Sequence, residues 1–220
     1  MDQQELINRL IYWTLLVVSL TVHEWAHAWS AYKLGDDTAA RLGRMTFNPL
    51  VHLDMIGTVI LPLLGAPIGW AKPVPVQPHR FSPGISPSFG MLLTAIAGPI
   101  SNVVLAVVGM AILAGSTHLH AQNPDVTETV VFVMNRFIIL NLSLAVFNML
   151  PIPPLDGSRV VNHFMPYSWR PAWAQIEQFS LFILLGVILL LRYTETNVLS
   201  VPIVFLYGLL FKLALPFMAG

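Results

Sequence analysis

The chain has 220 residues, of which 55% are hydrophobic and only 10% charged, with a mean hydropathy of +0.70 and a formal net charge of zero. Soluble domains carry about 25% charged residues, so a chain this poor in charge cannot cover a water-facing surface and reads as an integral membrane protein. Charge balance argues against a nucleic-acid partner. The absence of cysteine excludes disulfides, thiolate metal sites and a cysteine nucleophile.

The N-terminus carries Asp2 and Glu5 ahead of Arg9, the wrong flank for a cleavable signal. The first apolar run covers residues 7–34. Later runs cover 89–114, 129–150, 173–191 and 197–215, the last with Lys212 placed to snorkel. Each qualifies against the roughly 20 apolar residues that a spanning helix needs. The expected fold is an all-α polytopic membrane protein of about five transmembrane helices.

A shorter run, 55–64, is cut by Pro62 and is too brief to span. It opens a stretch holding Pro62, Pro67, Pro73, Pro75, Pro78, Pro83 and Pro87, too dense in proline for a helix. Its centre, Lys72-Pro73-Val74-Pro75-Val76, reads as extended. The prolines lie two apart and strip donors from one edge, while Val74 and Val76 keep theirs on the other. That edge could add a strand of an unwound partner, or the segment could simply be a stiff surface loop. No repeat or second soluble domain is visible, so residues 1–220 are expected to form one domain. Its core would be 7–160, with two additional C-terminal helices in 161–220.

The first helix contains His23-Glu24-Trp25-Ala26-His27. Residues four apart share a helix face, so both imidazoles can address one ion. Glu24 beside them is placed to take a proton from a water at that ion, the logic of H-E-x-x-H zinc proteases. Ionisable groups inside a bilayer are costly and mark functional sites; the bland alternative is a polar cluster that pairs helices. A catalytic zinc usually has three protein ligands and an open position. His118 and His120 lie in a short loop and read as solvated; His52 could pair with Asp54; His79 and His163 read as surface groups. Asp156 follows three prolines that must break the preceding helix. Broken backbone at membrane depth is tolerated only where it lines protein or a cavity, which favours a metal ligand. The alternative is a solvated Asp-Gly turn.

The His23–His27 motif, the segment Ala97-Gly98-Pro99-Ile100-Ser101-Asn102, and residues 148–157 together resemble the site-2 protease family of intramembrane zinc metalloproteases. Residues 43–49 and 69–76 extend the likeness, which is to a compact prokaryotic branch without a PDZ domain. The resemblance covers about residues 10–160; the last two helices carry no legible family signal. It implies one zinc bound by His23, His27 and Asp156, water activation by Glu24, and Asn148 steadying the substrate or the developing oxyanion.

For those ligands to meet, the first and third spanning helices must run parallel, with 89–114 as the one span between them and 55–64 re-entrant or interfacial. The positive-inside rule then puts the side of Lys33, Arg41, Arg44, Lys72, Arg80, Arg159, Arg170 and Lys212 in the cytoplasm, with Arg9 and Arg192 opposite. The expected activity is hydrolysis of a peptide bond within or near a transmembrane segment of a membrane-protein substrate, in the lipid bilayer of a prokaryotic inner membrane. Two rival readings use the same His/Asp cluster: a metal transporter, and an inactive relative that only binds transmembrane helices.

Overall fold

The computed structural model describes residues 2–60, 62, 69–118, 123–193 and 199–218. It is all-α, with no strand among the described residues. The helices are α1 (Gln3–Lys33), α2 (Thr38–Arg41), α3 (Pro87–Thr117), α4 (Pro124–Asn148), α5 (Asp156–Phe164), α6 (Arg170–Gln178), α7 (Ser180–Tyr193) and α8 (Ser200–Met218). Among the described residues, α1, α3, α4 and α8 are long and apolar enough to cross a membrane.

Helix α3 is the hub, packing against α1, α4, α5 and α8. It starts sharply: Pro87 occupies the first turn and Ser86 caps it, its Oγ accepting from Phe89 N–H at 3.2 Å. Lipid chains are as apolar as leucine, so helices in a bilayer associate through close packing of small residues rather than hydrophobic burial. At Gly109 a Cβ would lie only 3.0 Å from both Ile138 and Phe137 of α4, so a side chain there would require those two to give way by a few tenths of an ångström.

The order of spans brings α1 and α4 parallel, with α3 antiparallel between them. The re-entrant expectation for the proline-rich stretch is also met in the described residues. Met55–Ile60 forms a six-residue π-type turn, with the rest of 55–64 outside the described residues apart from Pro62. Trp13 Nε1 donates to the Thr58 carbonyl at 2.8 Å, and Trp13 precedes His23 by ten residues, about 15 Å along the helix axis. The chain then returns along α1: Val74 meets Glu24, and Gln77 N–H donates to Asp36 Oδ2 at 2.6 Å beyond the helix end. It goes in and comes back on one side.

The C-terminal region departs from the expectation of five spans. The run 173–191 is divided between α6 and α7, with a break at Phe179. Helix α7 has 14 residues, about 21 Å of helix against a hydrocarbon core of about 30 Å. Helix α8 then runs parallel to α3, not against it. Its Ala214 packs with Met110, Leu113 and Ala114, and His118 at the end of α3 donates to the Phe217 carbonyl at 2.8 Å. Lys212 therefore lies toward the C-terminal end of α3, away from the side to which the charge count assigned it. The apolar composition of these segments sets no direction.

Candidate metal centre

Three residues on α1 and three on α3 face each other in an antiparallel ladder. Ser19, His23 and His27 recur every four residues on one helix, and Thr94, Gly98 and Asn102 do so on the other. His27 Nδ1 lies 2.7 Å from the Thr94 carbonyl, and His23 Nδ1 lies 2.6 Å from Asn102 Oδ1. Gly98 sits between the imidazoles, where a Cβ would come within 2.6 Å of both rings. Only glycine lets α3 approach this closely.

This ladder fixes the proton on each ring. A carbonyl can only accept, so His27 carries its proton on Nδ1. For His23 the argument runs through two buried amides. Asn141 Nδ2 donates to the Phe137 carbonyl at 2.9 Å and to Ser19 Oγ at 3.0 Å. Asn141 Oδ1 then accepts from Asn102 Nδ2 at 2.9 Å, which turns Asn102 Oδ1 toward His23 and makes His23 Nδ1 the donor. Both Nε2 atoms are left with lone pairs, and they face each other at 3.0 Å.

Asp156 completes the group. Met149 ends α4, Pro151, Pro153 and Pro154 prevent its continuation, and Asp156 begins α5. Gly157 permits this tight restart, because a Cβ would collide with the carbonyl oxygens of Met149 and Leu150. Asp156 is 8% exposed, which removes the solvated-turn alternative. Its Oδ2 lies 3.2 Å from each Nε2 and is buried without a hydrogen-bond donor.

Two imidazole lone pairs and a carboxylate oxygen so close repel one another unless a cation lies between them. Zinc–ligand distances of about 2.0–2.1 Å at tetrahedral angles place ligand atoms roughly 3.3 Å apart. The observed separations of 3.0 to 3.2 Å fit one such ion. Nitrogen and oxygen donors in this number suit zinc, and His23, His27 and Asp156 form the one such His/Asp/Glu group among the described residues.

The group opens into a cavity of about 350 Å³ that Glu24, Asn148, Val74, Arg159 and Asp54 also line. Glu24 is buried, and its Oε2 accepts from Val74 N–H at 3.0 Å. Asn148 is part-buried; its amide donates to the Leu144 carbonyl at 3.0 Å, which uses one of two N–H groups. Leu181 and Leu184 of α7 close one side, so the C-terminal region, which carries no legible motif, reaches the site. The extended segment differs from its expected use. The edge carrying Val74 is turned inward, with Val74 N–H on Glu24 and Lys72 N–H on the His52 carbonyl at 2.8 Å. The edge expected to receive a substrate strand is thus engaged within the protein.

The other histidines stand apart. His52 is buried and donates to the Thr46 carbonyl at 2.9 Å instead of pairing with Asp54. His163 is half-buried, with Nδ1 2.9 Å from Ser88 Oγ, and His79 is exposed. His118 is exposed, and His120 lies outside the described residues. Sequence reasoning missed Asn141, Thr94 and the role of Asn102. An asparagine inside an apolar helix was the available signal for the two amides; Thr94 acts through its backbone and left none.

Known proteins resemble this chain over most of its length. The profile of Peptidase family M50 matches residues 113–191, a span that includes Asp156 and the run 173–191. A Bacillus subtilis protein named "Putative zinc metalloprotease YwhC" is 40% identical over 174 residues, 77% of this chain and 76% of that protein. Mycobacterium tuberculosis Rip2, which bears the same descriptive name, is 32% identical over 171 residues, 77% of this chain and 62% of its own length. The Mycolicibacterium smegmatis Rip2 is 30% identical over 173 residues, and this chain again spans 62% of it. No solved structure matches the chain significantly.

Proposed function

The chain belongs to peptidase family M50, a family of zinc metalloproteases, and from that premise we propose that it hydrolyses a peptide bond within or near a transmembrane segment of another membrane protein. The observation that carries this reading is the convergence of His23, His27 and Asp156, with both Nδ1 atoms committed, inside a chain whose spans are apolar. Zinc held there supplies Lewis acidity for the scissile carbonyl and for water.

The chain's own residues supply the rest. Glu24 takes the proton from the attacking water and passes it to the leaving amine. The second amide N–H of Asn148 donates toward the oxyanion as it develops. Glu24 is buried, and the lower dielectric of such surroundings strengthens its electrostatic interactions. Peptide bonds in a helix are already hydrogen-bonded, so the substrate must unwind locally before it enters.

Charge supports a cytoplasmic placement of the site. Lys33, Arg41, Arg44, Lys72, Arg80, Arg159 and Arg170 lie toward the C-terminal end of α1, and moving Lys212 to the other side leaves that bias intact. A prokaryotic inner membrane is the corresponding location. In the test, purified protein is loaded with zinc and presented with a panel of transmembrane peptides, and products are mapped by mass. Wild type is expected to cut at one position within or near the apolar segment, and Glu24→Gln to keep its zinc and cut nothing. Zinc-dependent transport without any cleavage, or cleavage that survives Glu24→Gln, contradicts the reading.

A further inference from the structure

Residues 69–77 are extended and pinned at several points. The Trp70 carbonyl accepts from Thr58 Oγ1 at 2.6 Å, and the Lys72 carbonyl accepts from Arg44 Nη2 at 2.6 Å. Gln77 N–H ends the segment on Asp36, which is fully buried and also accepts from Thr38 N–H at 3.0 Å. Between these anchors stands Val74, with proline on either side. Proline has no N–H, so Val74 carries the sole backbone donor between Lys72 and Val76. That donor goes to Glu24 Oε2. The Val74 side chain is buried against Ala28, one turn beyond Glu24 on α1, and against Ala39.

Glu24 has several rotatable side-chain torsions and is buried, and an unpaired buried carboxylate is costly. With Oε2 held by Val74, Oε1 is left for the water that the site must deprotonate. We propose that Val74 is a positioning residue for hydrolysis: its backbone N–H, isolated by Pro73 and Pro75 and anchored through Arg44 and Asp36, holds the Glu24 carboxylate so that one oxygen faces the metal site. The proposal rests on Glu24 acting as the general base. It assigns the proline-rich segment a task for the protein's own carboxylate, distinct from any contact with substrate.

The test uses the full-length, zinc-loaded protein and a transmembrane peptide that wild type cleaves. Misplacing a catalytic group by about 1 Å costs on the order of 100-fold in rate, and Val74→Pro is expected to lower kcat by that order with KM and zinc content unchanged. Val74→Ala keeps the N–H and is expected to restore most of the wild-type kcat. A folded, zinc-bound Val74→Pro with the kcat of Val74→Ala overturns the proposal. Should Val74→Pro fail to fold, Arg44→Gln decides, because it releases the Lys72 anchor away from the zinc ligands. A lower kcat at unchanged KM and zinc supports the proposal, and wild-type kcat overturns it. The bond is also read without turnover, in protein carrying nitrogen-labelled valine, with the Val74 amide identified by its loss in Val74→Ala. Its proton signal is expected to move upfield in Glu24→Gln; a signal that stays in place overturns the proposal. Failure of the peptidase reading would show differently, as a zinc-loaded wild type that cleaves no peptide.

Discussion

The two ends of the molecule are built on different rules. Around α1, α3 and α4, positions are set by directional bonds: Ser19, Asn102 and Asn141 are fully buried and bonded to one another, and Gly98 admits two imidazoles. In α7 and α8 the contacts are mostly apolar, and Phe182, Leu189, Val201, Val204 and Phe205 are exposed on the surface that lipid covers. Directional bonds specify register and depth. Apolar contact alone specifies neither, because a leucine meets a lipid chain and another leucine with similar energy.

Substitutions can break this contrast, and the largest effects belong to the first region. Asp156→Ala or His27→Ala leaves two ligands where three converge, and is expected to abolish stable zinc binding and all cleavage, read by metal analysis of the purified protein. Gly98→Ala places a methyl group within 2.6 Å of both rings and is expected to cost nearly as much, because the side chains it displaces are the two imidazoles themselves, held in place by Thr94 and Asn102. Asn102→Leu and Asn141→Leu act at one and two bonds' remove from His23. Loss of a partner that orients a ligand typically lowers metal affinity by about 10–100-fold, and competition with a zinc chelator should show that range with Asn102→Leu the larger.

The smallest effect is expected in the second region. Tyr207 donates to Asn135 Oδ1 at 2.5 Å, a bond that ties α8 to α4. Hydrogen bonds between membrane helices average about 0.6 kcal/mol, so Tyr207→Phe should lower unfolding stability only slightly and leave zinc affinity unchanged. A large loss of zinc from Tyr207→Phe would mean that α8 helps to set the site, and the contrast between the two regions would fail.

The same contrast explains what the sequence revealed. His23 and His27 were legible because helical spacing and the cost of ionisable groups in a bilayer point to one answer. Asp156 was legible less directly, through the prolines that had to end α4. The parallel course of α1 and α4 followed from asking that the ligands meet. The direction of α8 was misread because 173–191 has the composition of a span. The break at Phe179 divides that run between α6 and α7, and composition does not encode it. Val74 was noticed for its donor, but sequence gives no sign of which edge faces inward. Only the buried carboxylate of Glu24, waiting for a partner, could have suggested it.

The central claim is that one zinc is held by His23, His27 and Asp156, and X-ray absorption at the zinc edge tests it most directly. Wild type is predicted to show one zinc per chain with two imidazole nitrogens and a carboxylate oxygen at about 2.0–2.2 Å, and Asp156→Ala to lose the metal or the oxygen contribution. A full equivalent of zinc in Asp156→Ala with an unaltered spectrum would contradict the account.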